Sequence, residues 1–161
     1  MTTMTDAIAA DDIEELIPAS HISLSEPPAE KEACIEFLLD LLVDGGKVED
    51  RDRALDALLE RESETTTGVG MGIGIPHAKT DAVNRPSLAF ARSEEGVDFG
   101  SMDGEPATLI FMILVPEAGG EKHLNILSSL SRTLMHDDVR DRLHEAEDEA
   151  TVQDALREAI A

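Results

Sequence analysis

The chain has 161 residues, of which 35 are acidic and 13 are basic, so its formal net charge is −22. This length fits one domain that buries about two-thirds of the surface of the unfolded chain. Nucleic acid and anionic membranes are excluded as favourable partners, because both repel an acidic surface. Aromatic residues make up only 2% of the chain, so we expect an aliphatic core. No run of about 18 apolar residues is present, which argues against direct membrane insertion.

The acidic residues are spread over the whole chain rather than collected in a tail. This distribution favours adaptation to high intracellular salt, where the Debye length falls to ~3 Å at 1 M and charge repulsion is screened. The first ten residues carry neither a basic residue nor an apolar block, unlike a secretory signal. We therefore predict a halophilic, cytoplasmic protein. The single cysteine, Cys34, lies in an apolar helical pattern and is predicted to be a core residue.

Residues 1–19 are polar, acidic and weakly patterned, and we predict that they form a mobile lead-in with at most a short helix. The folded domain is expected to span residues 20–161. A short strand is predicted around His21–Leu24, with His21 on the surface because no chemical partner stands near it in the sequence.

Two helices are predicted next. Apolar residues at helical spacing indicate a first helix that starts around Ser25–Pro28 and ends at Gly45–Gly46. A second helix should begin near Asp50 and stop before Thr65. Arg61 lies in its last turn, where a cation is favourable simply because it interacts with the helix dipole.

The run Gly68–His77 contains four glycines that alternate with apolar residues, and it ends in a histidine directly after a proline. Glycine at every second position leaves one face of an extended segment without side chains, so another group can approach closely. Pro76 fixes its own φ and favours an extended conformation at Ile75, so the chain should reach His77 in a defined direction. A glycine-rich buried strand followed by an ordinary histidine fits the same pattern.

In the second half of the chain, Ala78–Asn84 is predicted as a loop or short helix, followed by strands at Ser87–Arg92 and Val97–Phe99. The near-continuous apolar run Ala107–Val115 is typical of a central strand covered on both faces. Three further helices are predicted at Gly120–Leu134, Asp137–Leu143 and Thr151–Ile160. Strands interleaved with helices indicate one α/β domain, a three-layer sandwich whose mixed, mostly parallel sheet of about five strands has helices on both faces.

Several known motifs are excluded. The third glycine of a dinucleotide-binding fingerprint would fall on Ile73 or Ile75, and Gly46–Lys47 is followed by valine rather than by the Ser/Thr of a P-loop. The zinc-protease pattern His-Glu-x-x-His is also missing from the sequence. His136 and His144 are interpreted as surface histidines near helix ends.

His77, His123 and Arg61 remain as candidates for chemistry. His123 stands at a predicted helix start, where unpaired N–H groups and partial positive charge suit a phosphate. Both histidines follow predicted strands, and sites in open α/β sheets gather beyond the carboxyl ends of strands. A neutral imidazole can attack a phosphoryl group, and an arginine can hold its oxygens. The alternatives are a packed helix-start residue for His123 and a helix-end cation for Arg61.

Four segments together resemble the signature of fructose/mannitol-type (type 2) enzyme IIA domains, which are phosphoryl carriers of the phosphoenolpyruvate-dependent sugar phosphotransferase system. These segments are Arg61–Glu62, Thr66–Gly70, Gly74–Lys79 (Gly-Ile-Pro-His-Ala-Lys) and His123–Arg132. The resemblance extends from about Ile22 to the C-terminus. It departs from the family pattern in its extreme acidity and in a threonine where the family often has serine before the first glycine.

The resemblance implies that His77 accepts a phosphoryl group from the phosphohistidine of the small carrier HPr. It implies transfer onward to a cysteine of the cognate enzyme IIB, for uptake and phosphorylation of a sugar, most simply fructose. His123 would hydrogen-bond the imidazole or the phosphoryl group, and Arg61 would stabilise phosphoryl charge. No metal ion and no organic cofactor is implied, because positioning and electrostatics support an in-line displacement.

Two alternatives to the transport function remain. The first is a nitrogen-type regulatory enzyme IIA that is phosphorylated at the same histidine and signals through its phosphorylation state. The second is a non-catalytic binding module that keeps the fold but accepts no phosphoryl group.

Overall fold

The computed structural model describes residues 13–64, 66–117 and 120–160. These ranges contain six α-helices: α1 Ile13–Leu16, α2 Lys31–Asp44, α3 Arg51–Glu64, α4 Gly120–Leu134, α5 Asp137–Glu145 and α6 Glu149–Ile160. They also contain six β-strands: β1 Ile22–Ser23, β2 Gly68–Gly70, β3 Ile73–Gly74, β4 His77–Lys79, β5 Ser87–Val97 and β6 Ala107–Val115. Among the described residues, no helix has the length and apolarity needed to cross a membrane.

The strands form one mixed sheet arranged around β6. The strand order is β1-β5-β6-β3-β2, and β4 also pairs with β6. β3 lies parallel to β6 at Leu109–Ile110, and β4 lies parallel to it at Ile113–Val115. β1 is parallel to β5, whereas β5 and β6 are antiparallel, as are β2 and β3. Because β3 and β4 are successive segments along β6, the sheet is five strands wide, which confirms the predicted mixed sheet.

Helices cover both faces of the sheet because alternate side chains of β6 enter two separate apolar clusters. One cluster includes residues of α1, α4, α5 and α6 and receives Leu109, Phe111, Ile113 and Val115. The other includes residues of α2 and α3 and receives Ile110, Met112 and Leu114. The predicted three-layer sandwich and its doubly covered central strand are therefore confirmed.

The predicted helices are confirmed with small shifts of their ends. α2 begins at Lys31, later than predicted, because the Glu30 carboxylate caps the first N–H groups of the helix. α3 begins directly after Asp50, whose carboxylate accepts a backbone hydrogen bond in the first turn. α6 begins at Glu149 instead of Thr151. Local capping groups therefore fix these helix ends more accurately than apolar spacing does.

The folded part of the chain begins earlier than the predicted boundary at residue 20. Ile13 and Leu16 of α1 and the following Ile17 are buried in the cluster that includes α6. Three apolar residues within an acidic stretch give too short a pattern to indicate burial, which here depends on packing against distant elements. The rest of the predicted lead-in, residues 1–12, lies outside the described residues.

Strand β4 corrects the prediction of a loop or short helix directly after His77. His77, Ala78 and Lys79 pair in parallel with the last residues of β6. A three-residue strand is too short to show alternation in the sequence, and it forms here because β6 offers a free edge beyond β3.

The separate strand predicted at Val97–Phe99 does not form. Instead, β5 continues to Val97, with an irregularity in its pairing to β6 after Arg92. The Glu26 carboxylate stabilises this bulge by accepting hydrogen bonds from the Ser93 hydroxyl at 2.5 Å and from the two backbone N–H groups that follow. A long-range side chain thus satisfies backbone groups that would otherwise end the strand.

His21 is fully buried, which corrects its predicted surface position. Its Nδ1 lies 2.9 Å from the Leu88 carbonyl, which can only accept, so Nδ1 carries the hydrogen. Among the described residues, its buried Nε2 has no hydrogen-bond partner. Burial is the main cause that lowers the pKa of His21, and the charge of Lys47 acts in the same direction. The flanking sequence carries no sign of this burial, since Leu88 is 67 residues away.

We predict that acidification destabilises the fold through His21. Its pKa in the folded chain lies below the unfolded value of 6.5. Its contribution to the free energy of unfolding is therefore complete above that value and is lost as the pH falls below it, because the unfolded chain then binds a proton that the folded chain does not.

Denaturant titrations at constant salt, from about pH 7.5 to about pH 5, test this pH dependence. The free energy of unfolding should fall more steeply for wild type than for His21→Asn, which retains a donor but does not titrate. His136→Asn, at an exposed histidine, is the matched control and should keep the wild-type slope. Equal slopes for wild type and His21→Asn would contradict the prediction.

Candidate functional site

His77 is the first residue of β4 and lies opposite Ile113, near the carboxyl end of β6. The Pro76 carbonyl accepts a hydrogen bond of 3.0 Å from the Ile113 N–H, and the Ile75 N–H donates to the Thr67 carbonyl at 2.9 Å. These two bonds attach the segment before His77 to the central strand and to the residues that precede β2. The chain thus reaches His77 in a fixed direction, as we predicted from the position of Pro76.

The glycines before His77 make room for other parts of the same chain. A Cβ atom on Gly68 would lie 2.2 Å from the Ser101 hydroxyl oxygen. One on Gly74 would lie 3.3 Å from Phe99. The segment Gly70–Gly72 forms the turn between β2 and β3, and all its residues have positive φ. The close approach predicted from the glycine spacing is therefore used for packing within the chain.

The His77 imidazole is held in one tautomer. The residue is only 6% exposed, and its Nδ1 lies 2.7 Å from the Ile75 carbonyl. A carbonyl can only accept a hydrogen bond, so Nδ1 carries the hydrogen and Nε2 of the neutral ring carries the lone pair. The local geometry therefore leaves Nε2 as the ring nitrogen that can act as a nucleophile.

The charge of the His77 ring is set by burial and by two neighbouring side chains. Burial is the main cause that lowers the pKa of His77, and the charge of Arg61 lowers it further. The hydrogen bond to Ile75 and the charge of Glu62 raise the pKa and offset part of this effect. Because the net shift is downward from 6.5, the imidazole is mainly neutral at pH 7.

His77 lines an open pocket of about 290 Å³ between α3 and β4. Its lining side chains are Ala57, Glu60, Arg61, Glu64, His77, Ala78 and Lys79. Two of the three sequence candidates, Arg61 and His77, thus meet in one pocket. An arginine beside a neutral imidazole can stabilise the oxygens of a phosphoryl group attached to that imidazole.

His123, the third candidate, lies within the first turn of α4. Residues 116–119 connect the end of β6 to the start of this helix. The helix therefore starts shortly after the strand end against which β4 is paired. The His123 side chain lies outside the described part of the structure, and its role stays a prediction.

Glu62 belongs to the Arg61–Glu62 segment of the family resemblance, but the sequence predicts no role for it. Its side chain is only 7% exposed and forms an ion pair of 2.9 Å with Lys31. It also accepts hydrogen bonds from the Thr67 N–H at 3.0 Å and from the Thr67 hydroxyl at 2.6 Å. In the sequence, Glu62 stands beside Arg61 and five residues before Thr67. A solvated glutamate at a helix end shows the same local pattern, so the sequence alone does not predict these contacts.

The other side chains considered from the sequence lie as predicted. His136 precedes α5 and His144 lies in its last turn, and both residues are exposed. Cys34 is buried, and burial raises the pKa of its thiol to about 12. None of these residues lines the pocket that contains His77.

Comparison with known proteins assigns this chain and its fold to a family. The family described as "Phosphoenolpyruvate-dependent sugar phosphotransferase system, EIIA 2" matches residues 15–159. The chain belongs to this family and is thus a phosphotransferase component that transfers phosphoryl groups between proteins.

Individual relatives and solved structures show which members of the family this chain is similar to. The chain is 68% identical over 149 residues to the "PTS system fructose-specific EIIA component" of Haloferax volcanii, and the match covers 92% of this chain and 97% of that protein. Nitrogen regulatory protein IIA-Ntr from Neisseria meningitidis has a TM-score of 0.79 at 32% identity, covering 89% of this chain and 98% of that one. Enzyme IIA-mannitol, in its complex with phosphorylated enzyme IIB-mannitol from Escherichia coli, has a TM-score of 0.74 at 30% identity, covering 86% and 94%.

We predict that Arg61→Gln raises the pKa of His77. The positive charge of Arg61 disfavours protonation of the imidazole, so its removal should move the pKa upward towards 6.5. An NMR titration of the His77 ring measures this shift.

Arg53→Gln is the control for this titration. Arg53 lies on the same helix but pairs with Asp81 through exposed side chains. It should leave the pKa of His77 unchanged. A His77 titration that is the same in Arg61→Gln and in wild type would show that Arg61 does not act on the imidazole.

Proposed function

We propose that this chain is a cytoplasmic phosphoryl carrier that accepts a phosphoryl group on His77 from phospho-HPr and passes it to a cysteine of the cognate enzyme IIB. The observation that supports this most strongly is the neutral His77 imidazole, whose Nδ1 is bonded to Ile75 and which shares a pocket with Arg61. The enzyme IIA-mannitol structure, solved together with phosphorylated enzyme IIB, supports the choice of acceptor.

In the first transfer, Nε2 of His77 attacks the phosphorus of the donor phosphohistidine. The new N–P bond forms as the donor N–P bond breaks, and its electron pair returns to the donor imidazole. In the second transfer, a cysteine thiolate of enzyme IIB attacks the same phosphorus, and the electron pair of the broken bond returns to Nε2. The hydrogen bond from the Nδ1–H group to the Ile75 carbonyl is kept throughout both transfers and holds the ring in place.

Arg61 and His123 assist these displacements in the proposed mechanism. The guanidinium of Arg61 stabilises the charge on the transferred oxygens, which is the main demand of phosphoryl transfer. His123, at the start of α4, hydrogen-bonds the imidazole or the phosphoryl group. Neither displacement requires a metal ion or an organic cofactor.

Fructose is the sugar we propose for the associated transporter, because the relative with 68% identity is named fructose-specific. The regulatory alternative rests on the similarity to a nitrogen regulatory protein, which reaches 32% identity.

We further propose that the carrier domain comprises residues 20–161 together with the buried segment 13–17. The acidic composition and the Haloferax relative both favour a high-salt setting.

We predict that His77→Ala abolishes phosphorylation, because it removes the accepting nitrogen. Purified protein would be incubated with phosphoenolpyruvate, enzyme I and HPr, and acid-labile phosphate would be measured. His136→Ala, at an exposed histidine, should be labelled like wild type. Arg61→Ala and His123→Ala should slow labelling by about tenfold to a hundredfold without abolishing it.

Full labelling of His77→Ala would overturn the assignment of the acceptor, and wild-type rates in both other variants would remove Arg61 and His123 from the site. An unlabelled wild-type protein would favour the binding module. Onward transfer to enzyme IIB separates the remaining two functions, since a transport carrier passes its phosphoryl group to the cysteine and a purely regulatory protein retains it.

A further inference from the structure

We propose that Glu62 is a positioning residue, whose carboxylate holds the accepting imidazole of His77 through a continuous chain of hydrogen bonds. The inference rests on the proposed function, because it concerns how the same histidine is oriented for transfer. It assigns to Glu62 a role that is exerted on the imidazole through Thr67 and Ile75.

The chain of hydrogen bonds starts at the two carboxylate oxygens of Glu62. Oε2 accepts from the Thr67 N–H at 3.0 Å, and Oε1 accepts from the Thr67 hydroxyl at 2.6 Å. The Thr67 carbonyl then accepts from the Ile75 N–H at 2.9 Å. Finally, the Ile75 carbonyl accepts from Nδ1 of His77 at 2.7 Å. Each bond begins on the residue at which the previous one ended.

Pro76 couples the orientation of the Ile75 N–H to that of the Ile75 carbonyl, and so links the two ends of this hydrogen-bond chain. A proline restricts the backbone of the residue before it to extended conformations. Once the Ile75 N–H is fixed by Thr67, the direction of the Ile75 carbonyl is therefore fixed as well. The imidazole follows this carbonyl, because the hydrogen bond to Nδ1 sets both the tautomer and the ring orientation.

Glu62 is itself firmly held. Its side chain is 7% exposed and forms an ion pair of 2.9 Å with Lys31 of α2. The Lys31 ammonium lies 5.6 Å from the centre of the Phe99 ring and 3.4 Å from the Phe99 carbonyl oxygen. Burying a carboxylate is unfavourable unless its oxygens are bonded, and here three donors from two residues bond them. Glu62 therefore joins α2 and α3 to the segment that carries His77.

A purely structural role would predict a different result from a positioning role, and the chain contains a matched pair for comparison. The Ser93 hydroxyl is also buried and also donates to a carboxylate, that of Glu26, at 2.5 Å. This pair stabilises the bulge of β5, which lies along the opposite edge of β6 from His77. Loss of the Ser93 hydroxyl removes a comparable bond without touching the chain that ends at Nδ1.

The experiment compares wild type with Glu62→Ala, Glu62→Gln, Thr67→Val, Thr67→Ser and Ser93→Ala. Three quantities are measured: the rate of His77 phosphorylation by phospho-HPr, the free energy of unfolding, and the His77 tautomer from nitrogen NMR of isotopically labelled histidine. The tautomer is informative because a merely structural loss of stability would leave it unchanged in the folded protein.

We expect Glu62→Ala and Thr67→Val to slow phosphorylation by about tenfold to a hundredfold, as misplaced reacting groups do. Both should also reduce the population of the Nδ1–H tautomer. Thr67→Ser keeps the hydroxyl and should therefore show the wild-type rate and the wild-type tautomer. Glu62→Gln keeps one acceptor oxygen and should lie between wild type and Glu62→Ala. Ser93→Ala should lose stability but keep the wild-type rate and tautomer.

The proposal is overturned if Glu62→Ala and Thr67→Val keep the wild-type tautomer, or if Ser93→Ala slows phosphorylation as much as they do. If Glu62→Ala does not fold, the comparison of Thr67→Val with Thr67→Ser decides the question alone. If wild type takes no phosphoryl group on His77, the proposed function fails, whereas the tautomer measurement still decides the role of Glu62.

Discussion

The burial of strand β6 on both faces is the constraint on which the rest of the structure depends. β5 pairs along one edge and β3 and β4 along the other, while alternate side chains enter the two apolar clusters. A slip of one residue would exchange these faces, so the register of such a strand is strongly specified. The pairing of His77 with Ile113 inherits this register. His77, the proposed acceptor, thus stands near the carboxyl end of the central strand, where open α/β sheets place their sites.

The pocket around His77 has as many basic as acidic side chains, in a chain with a net charge of −22. Arg61 and Lys79 line the His77 pocket together with Glu60 and Glu64. Salt screens separated surface charges strongly but partly buried, adjacent charges much less. In a saline environment the general repulsion between phosphoryl groups and the acidic surface is therefore damped, whereas the local attraction at Arg61 persists. This difference reconciles an acidic surface with the proposed transfer of an anionic phosphoryl group through His77.

The range of each interaction explains what the sequence predicts and what it does not. The long helices and β6 carry their own periodic or apolar pattern, so both were predicted correctly. β4 has only three residues and exists because β6 pairs with it, and the burial of His21 depends on Leu88, 67 residues away. Arg61 and His77 were recognised as candidates from motifs, but their meeting in one pocket requires the packing of α3 beside β4. The contacts of Glu62 likewise become visible only when α2 and α3 are brought together.

In the proposed transfer, the hydrogen bond from Nδ1 of His77 to Ile75 leaves Nε2 as the accepting atom. Phosphorus–nitrogen correlated NMR on the phosphorylated protein, with isotopically labelled histidine, tests the claim most directly. We expect phosphorus bonded to Nε2 of His77, with Nδ1 still protonated. Phosphorus on Nδ1 of His77, or on any other residue, would contradict it.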